Sequence, residues 1–199
     1  MTNHWVILGG SRGLGACFAS QVQKHHPKTE VSIVSRHSDW HCDFSKVDEW
    51  DRFITDLRQA QPTHILYSAG GGPHGDFATK NWRDHEWAWR VNFLFPSYLL
   101  HGLMRAPLTG LKQFVLVGSQ IAEQHADPQA ASYAAAKHAL RGLVTSVQAE
   151  STRPLFDLRL FSPGYMETAL LPAQSWPRRQ GLARPPEEEA ERLLRELAE

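Results

Sequence analysis

Tyr133 and Lys137 stand four residues apart at the end of the stretch GSQIAEQHADPQAASYAAAK, residues 118–137. Residues with this spacing share a face of a helix, so both polar tips can reach one reacting atom. A tyrosine titrates near about pH 10, and it works as an acid or base near neutrality only if its phenolate is stabilised, as a neighbouring ammonium does. The pair therefore indicates acid–base chemistry at a site that a helix presents.

A glycine-rich loop, GGSRGLG, follows the first apolar run of the chain and opens a helix-like stretch. Its glycines Gly9, Gly13 and Gly15 would let the backbone turn sharply and approach a pyrophosphate, whose charge the N-terminus of the next helix meets. Glycine-rich turns are common elsewhere, so the loop is informative because a strand precedes it and a helix follows it.

Short and nearly continuous apolar runs alternate with longer amphipathic stretches. Such runs are typical of strands covered on both faces of a parallel sheet, and their alternation with helices implies right-handed crossovers. We therefore predict a three-layer, doubly wound α/β fold that binds ligands beyond the carboxyl ends of its strands. The predicted strands are residues 4–9, 30–35, 64–69, 113–118 and 156–161, and the predicted helices are 13–25, 46–59, 80–104, 130–151 and a terminal helix at 186–199.

Length and composition favour a single domain, residues 1–199, that acts on small molecules. Lys plus Arg and Asp plus Glu both number 21, so no net field would draw the chain to nucleic acid or an anionic membrane. The two cysteines, Cys17 and Cys42, agree with a reducing cytoplasm, and no apolar run is long enough to span a membrane. The 11 histidines, His125 among them, lack zinc-ligand spacing and are interpreted as solvated or hydrogen-bonded. We expect a soluble, unprocessed, cytoplasmic protein.

The spacing G-x-x-x-G-x-G followed by Tyr-x-x-x-Lys, over residues 4–168, resembles the short-chain dehydrogenase/reductase family of single-domain NAD(P)-dependent oxidoreductases. The resemblance implies a Rossmann fold and interconversion of a carbonyl and an alcohol by hydride transfer, with Tyr133 as acid and base. It also implies that Lys137 lowers the Tyr133 pKa and holds the nicotinamide ribose, and that Asn92 holds a water in a proton relay. The family's usual last strand is absent, so we expect a parallel sheet of about six strands.

The third catalytic group of the family, a serine near thirteen residues before the tyrosine, has two candidates here. Without a gap, Gln120 takes its position and Ser119 is a structural hydroxyl; a one-residue insertion in EQHADPQAA would make Ser119 the donor. Glutamine can donate to a carbonyl oxygen as amides do in oxyanion holes, although it is longer and would crowd the substrate. An enzyme that uses Gln120, an enzyme that uses Ser119 and a weakened or inactive enzyme all remain open.

Two arginines predict NADP(H) as the cofactor. An acidic residue after the second strand would bind a ribose hydroxyl, whereas arginine pairs with a 2′-phosphate through charge-assisted hydrogen bonds. Arg36 occupies this position, and Arg12 in the glycine loop can reach the same pocket, with Ser11 and Ser35 as hydroxyl donors.

The remaining cofactor contacts lie in loops after later strands. Asp43 would accept from the adenine amino group with Phe44 at the ring, but Asp43 is equally a good helix N-cap, and both interpretations stay open. In YSAGGG, Tyr67 and Ser68 replace the family's asparagines, and FSPGYMET matches the family's Pro-Gly-x-x-x-Thr loop. The expected cofactor-binding residues are Gly9, Ser11, Arg12, Gly13, Leu14, Gly15, Ser35, Arg36, Asp43, Phe44, Ala69, Gly70, Tyr133, Lys137, Pro163, Gly164, Tyr165, Met166 and Thr168.

The end of the chain departs from the family. Residues 169–185 form a short substrate-side segment in which Leu170, Leu171 and Trp176 could supply a small apolar cover. Family members commonly pair through two long helices, here about 80–105 and 131–151, so the resemblance implies a homodimer. The alternative function is a non-catalytic NADP(H)-binding sensor or partner protein, because Gln120, the altered loop after the third strand and the missing last strand all depart from the family.

Overall fold

The computed structural model describes residues 3–123, 128–152 and 154–198. Six parallel strands form one sheet in the order β3-β2-β1-β4-β5-β6. The strands are β1 (His4–Leu8), β2 (Glu30–Ser35), β3 (Trp40–His41), β4 (His64–Tyr67), β5 (Gln113–Val117) and β6 (Asp157–Phe161). The predicted parallel sheet of about six strands is confirmed. β3 has only two residues, paired beside the end of β2, and so carried too little pattern to be predicted on its own.

Strand order reverses between β1 and β4. From β1 the chain winds outward through β2 to β3, then returns to place β4 on the other side of β1 and continues to β6. The loops after β1 and β4 therefore open a crevice at the carboxyl edge of the sheet, where doubly wound folds bind their ligands.

Helices cover both faces of this sheet. They are α1 (Gly13–His25), α2 (Trp50–Ala60), α3 (Trp82–Trp89), α4 (Phe95–Arg105), α5 (Ala131–Ala149), α6 (Trp176–Arg179) and α7 (Pro186–Ala198). The predicted bounds of α1 are confirmed, and α2 is preceded by a 3-10 turn at Val47–Glu49.

The helix predicted over residues 80–104 is interrupted. A π-helical turn, Arg90–Leu94, separates α3 from α4, and the Phe95 N–H reaches back to the Arg90 carbonyl. Pro96 gives the physical reason, because proline has no N–H to donate to the Asn92 carbonyl four residues earlier. The wider turn accommodates the lost hydrogen bond and leaves the Asn92 carbonyl without that partner.

Alternate residues of the strands pack into two apolar layers, one on each face of the sheet. Leu8 and Tyr67 face the layer formed with α2, α4 and α5, while Ile7 and Leu66 face the layer formed with α1 and α7. In the second layer the Arg192 guanidinium of α7 lies 4.2 Å from the Phe161 ring centroid and donates to the Ser162 carbonyl at 3.1 Å. This contact ties the terminal helix to the end of β6. None of the helices in the described ranges has the length and apolarity needed to cross a membrane.

Candidate active site

A cavity of about 90 Å³ opens beyond the carboxyl ends of β4, β5 and β6. Ser119 and Tyr133 both line it, as do Thr168 and Met166 from the loop after β6. Much of the remaining wall is apolar, including Leu170 and Leu171. The structure thus brings together the serine position, the Tyr-x-x-x-Lys pair and the Pro-Gly-x-x-x-Thr loop, which are separate motifs in the sequence.

Ser119 and Tyr133 interact directly in this cavity. Burial raises the pKa of Tyr133 above its ordinary value, and a hydrogen bond from the Ser119 side chain acts in the opposite direction. A serine hydroxyl lowers a phenol pKa when it donates a hydrogen bond to the phenolate. Its Oγ also accepts from the Ile121 N–H at 3.4 Å, which caps the 3-10 turn Gln120–Ala122.

The side chain of Gln120 lies to one side of the cavity. Its backbone N–H donates to the Pro163 carbonyl at 3.0 Å, and a Cβ added at Gly164 would stand 3.1 Å from its Oε1. Gln120 is absent from the described lining of the cavity, to which Ser119 contributes. Residues 124–127 of the loop in which an insertion was considered, His125 among them, lie outside the described residues.

Lys137 is buried beneath the tyrosine. Only 2% of its surface is exposed, its Nζ lies 5.6 Å from the Tyr133 ring centroid, and it donates to the Val117 carbonyl at 2.7 Å. Burial lowers the pKa of Lys137 to about 7. That Lys137 lowers the Tyr133 pKa stays a prediction, while burial of the phenol raises that pKa.

Asn92 lies in the π-helical turn and is fully buried. Its side-chain amide donates to the carbonyls of Ala88 at 2.7 Å and Gly71 at 2.6 Å, and its Oδ1 accepts from the Gly71 N–H at 3.2 Å. The side chain therefore fixes the loop after β4, whereas the backbone carbonyl lacks the i+4 donor of an α-helix, because Pro96 has no N–H.

Glycines allow the loops after β1, β4 and β6 to lie close together. Gly9 has φ 87°, and a Cβ there would stand 2.5 Å from the Ala69 nitrogen, so only glycine lets the loops after β1 and β4 come this close. A Cβ at Gly13 would lie 3.4 Å from Thr168, and one at Gly70 would lie 3.7 Å from the Lys137 ammonium. The glycine loop is thereby joined to the cavity.

Two predicted cofactor residues of the first helix are turned inward. Leu14 is 5% exposed and belongs to the core between α1 and the sheet, and Gly15 is buried against the Ser68 hydroxyl. Only the backbone of Leu14 can therefore face a ligand. Ser11 and Arg12 are exposed at the N-terminus of α1, where Arg12 is the N-cap and makes no side-chain capping bond.

The region after β2 combines an exposed arginine with hydroxyls used in turns. Arg36 is exposed, whereas the Ser35 hydroxyl accepts from the His37 N–H at 3.0 Å and donates to Ser38 at 3.2 Å. Ser35 thus shapes the turn that carries Arg36.

Asp43 and Phe44 are both occupied by protein contacts. Asp43 Oδ1 accepts from the Ser45 N–H at 3.0 Å and the Ser45 hydroxyl at 2.7 Å. Burial acts to raise the pKa of Asp43, but the Ser45 hydrogen bonds and the charges of Arg36 and Lys46 together lower it. The Phe44 ring is packed in the core, 4.7 Å from the Phe95 ring centroid, so its backbone is what remains for an adenine.

The segment after β6 folds back on itself beside the cavity. Met166 pairs with Arg184, and the Tyr165 and Trp176 rings lie 6.3 Å apart. Arg178 of α6 donates to the carbonyls of Leu171 at 3.0 Å and Thr168 at 2.9 Å. This guanidinium, which no sequence motif indicated, fixes the short segment over the cavity.

A further part of the cavity wall was missed by the sequence analysis. Gly72, Pro73 and His74 line the cavity after the Ala-Gly of the β4 loop, and the only sequence signal was a run of Gly and Pro. Within the described ranges, no three His, Cys, Asp or Glu side chains group closely enough to hold a metal ion.

Comparisons with known proteins agree with the fold. The sequence model described as short chain dehydrogenase matches residues 3–177. No curated protein matches the chain significantly. Among solved structures, BdcA in complex with NADPH has a TM-score of 0.79 at 20% identity, covering 96% of this chain and 85% of that one.

Two further structures are equally similar in fold. A dehydrogenase/reductase from Sinorhizobium meliloti 1021 has a TM-score of 0.79 at 19% identity and covers 97% of this chain and 87% of that one. An alcohol dehydrogenase from the archaeon Thermococcus sibiricus, complexed with 5-hydroxy-NADP, has a TM-score of 0.77 at 20% identity. This match covers 100% of this chain and 92% of that one. At these identities the structures establish the fold.

The parallel sheet, the glycine loop at its switch point and the Tyr-x-x-x-Lys helix define a nucleotide-binding Rossmann protein. Because the family match spans most of its length, the chain belongs to the short chain dehydrogenase family of oxidoreductases.

Proposed function

We propose that this chain is an NADP(H)-dependent oxidoreductase that reduces a carbonyl to an alcohol, or catalyses the reverse, with Tyr133 as the acid and base. The observation that carries the proposal is that Ser119 and Tyr133 line one cavity, with the Lys137 Nζ 5.6 Å from the tyrosine ring centroid. Two hydroxyls that converge in this way can both donate to one substrate oxygen.

The residues at the switch point fit a dinucleotide phosphate. Gly9 and Gly13 have positive φ, Gly9 leaves no room for a Cβ, and the first N–H groups of α1 point out of the helix end. In the proposal these groups hold the pyrophosphate, while exposed Arg12 and Arg36 hold the 2′-phosphate. The loop from Pro163 to Thr168 would face the nicotinamide.

In the direction of reduction, a bound nicotinamide cofactor would supply the hydride that the carbonyl carbon accepts. Tyr133 gives its phenolic proton to the carbonyl oxygen, and Ser119 donates a hydrogen bond to the same oxygen. The phenolate that remains is stabilised by the buried Lys137 ammonium below the ring. The Asn92 carbonyl, which Pro96 cannot engage, accepts a hydrogen bond from a water that returns a proton through Lys137.

Ser119, in this proposal, takes the role of the family's catalytic serine, and Gln120 supports the turn against Gly164. Ser119 lines the cavity and its side chain interacts with Tyr133, and both observations support this assignment. The alternative is an NADP(H)-binding protein without turnover. The same contact favours the enzyme, because a binding protein has no use for two hydroxyls beside a buried ammonium.

Turnover assays with matched tyrosine variants test the proposal. NADPH oxidation is followed with a panel of ketones, aldehydes and quinones for the wild type, Tyr133→Phe and Tyr98→Phe. Tyr98 bonds to Asp51 on the surface, so its variant controls for loss of a hydroxyl. We expect Tyr133→Phe to lose turnover but keep NADPH binding, and Tyr98→Phe to keep both. NADPH binding with no turnover of any compound would favour the sensor.

We also propose a homodimer that pairs through the helices at about 80–105 and 131–151. On the first of these helices Leu94 is 44% exposed, and the half-buried rings of Trp89 and Phe93 lie 5.9 Å apart beside it. Sedimentation of the wild type and Leu94→Lys measures whether this face carries the contact. A cytoplasmic location remains a prediction.

A further inference from the structure

His85 is a buried histidine that the proposed chemistry does not use. It lies in α3, is 4% exposed, and places Nδ1 2.6 Å from the Ser132 hydroxyl and Nε2 3.1 Å from the Phe77 carbonyl. Ser132 is itself 4% exposed and immediately precedes Tyr133 in α5. One ring therefore bridges the helix of the candidate acid and a loop beside the cavity.

The partners of the ring determine its protonation pattern. A carbonyl oxygen can only accept, so Nε2 carries a hydrogen and donates it to Phe77. In the neutral ring Nδ1 is then an acceptor, and the Ser132 hydroxyl donates to it. Both ring nitrogens are thereby satisfied in a site that excludes water, and replacing the ring with an apolar one would leave two buried polar groups unpaired.

The loop that His85 holds forms one wall of the cavity. We call residues 72–77 the β4 wall; Gly72, Pro73 and His74 of this wall line the cavity. A Cβ at Gly72 would stand 3.1 Å from the Tyr133 Cβ, so the wall and the tyrosine are in close contact.

The β4 wall is anchored at separated points. Asn92 binds Gly71 just before the wall, the Gly75 N–H donates to the Gln129 carbonyl at 2.8 Å, and His85 holds its carboxyl end at Phe77. The Phe77 side chain is 54% exposed, and its ring lies 4.5 Å from the His85 ring. Burial of Phe77 therefore contributes little, and the position of this end depends on the contacts with His85.

We propose that His85 is a positioning residue that sets the distance between the β4 wall and Tyr133, and so places the substrate carbonyl at the tyrosine hydroxyl. This inference rests on the proposed function for its kinetic consequence. Its structural part, that His85 and Ser132 hold the β4 wall on α5, does not depend on turnover.

Three variants separate positioning from general support of the fold. His85→Phe keeps an aromatic ring but loses both hydrogen bonds, Ser132→Ala loses one, and His85→Gln restores one donor and one acceptor. We expect His85→Phe to raise the KM of a carbonyl substrate about tenfold, with a smaller change in kcat and an unchanged Kd for NADPH. Ser132→Ala should give a smaller change, and His85→Gln should recover most of the wild-type KM. His25→Phe, at an exposed histidine in α1, is the control.

Hydrogen exchange gives a readout that needs no substrate. We expect the peptide covering the β4 wall to exchange faster in His85→Phe and Ser132→Ala than in the wild type, with β4 itself unchanged. Unchanged exchange in the β4 wall would overturn the inference. So would faster exchange throughout the chain together with equally large impairments in KM, kcat and the Kd for NADPH. If no compound is turned over, the proposed function fails, and the exchange measurement still decides whether His85 positions the wall.

Discussion

Ser119 and Tyr133 line the same cavity, and Ser119 Oγ accepts a hydrogen bond from the Ile121 N–H at 3.4 Å. The backbone donor occupies one lone pair of the serine oxygen, so the serine proton can still be donated to Tyr133 or to a ligand in the cavity. In the proposed reaction that ligand is a substrate oxygen bound between the two hydroxyls. Ser119 would then take both roles that the sequence left divided between two residues, a structural cap and a catalytic donor.

Paired alanine variants test this assignment. Ser119→Ala should lower kcat by about 10²–10³-fold, as the loss of one donor to a developing oxyanion does elsewhere. Gln120→Ala should change kcat far less, because the glutamine side chain lies against Gly164 and outside the cavity lining. Steady-state kinetics of both variants measure the loss in kcat. The Kd for NADPH, measured alongside, shows whether either substitution disturbs cofactor binding. A larger loss in Gln120→Ala than in Ser119→Ala would assign the donor to the glutamine.

The cofactor preference is tested by reversing one charge. Arg36 is exposed in the turn after β2 and close enough to Asp43 to lower its pKa. Arg36→Asp should weaken NADPH binding by about 10–100-fold, because a charge-assisted bond to the 2′-phosphate is replaced by repulsion. NADH binding should change little or improve. Titration with each nucleotide, followed by intrinsic fluorescence, measures the Kd for NADPH and the Kd for NADH. An equal increase in both would remove the NADP assignment.

Most of the fold could be predicted because its strands are buried on both faces. Ile7 and Leu8 point into opposite apolar layers, so β1 is apolar throughout and stands out from the amphipathic stretches around it. The break at the π-helical turn was missed because the apolar periodicity continues through it, although Pro96 marked the lost hydrogen bond.

The candidate site was predictable only where residues carry their chemistry in a local motif. Tyr133 and Lys137 share a helix face whatever surrounds them, whereas the contact of His85 with Ser132 joins residues 47 positions apart. The choice between Ser119 and Gln120 depends on the 3-10 turn Gln120–Ala122, which Ser119 caps and which spacing alone does not specify. Arg178 and the β4 wall are likewise set by tertiary contacts between loops.

Two glycines in contrasting environments test the close approach of the loops after β1 and β4. Gly9→Ala should lower the free energy of unfolding by at least about 2 kcal/mol, because φ is 87° and the added Cβ would meet the Ala69 backbone at 2.5 Å. Gly142→Ala lies in α5 with nothing within 4 Å of its Cβ, and should raise stability by about 1 kcal/mol through helix propensity. Denaturant unfolding of both variants gives the comparison. A Gly9→Ala protein as stable as the wild type would mean that the two loops are further apart.

Burial of Lys137 predicts that the protein becomes more stable as pH rises above neutrality. The pKa of Lys137 is lowered from 10.5 to about 7, so between these values the unfolded chain holds a proton that the folded chain has released. Stability therefore rises with pH, by roughly 1.5 kcal/mol between pH 7 and 8.5. The cysteines oppose this rise only weakly in the window, because the pKa of Cys42 is raised from 9.0 to about 12 and that of Cys17 to about 11, so their effect grows mainly above pH 9.

Urea unfolding at several pH values in this window measures the slope for the wild type and Lys137→Met. Methionine fills a similar volume without an ionisable group, so the variant should lose the rise while remaining folded. Lys112→Met, an exposed lysine, should keep the wild-type slope. The same slope in Lys137→Met and the wild type would show that the ammonium keeps its proton when buried. In that case the Val117 carbonyl, which accepts from Nζ at 2.7 Å, would be sufficient to hold the charge.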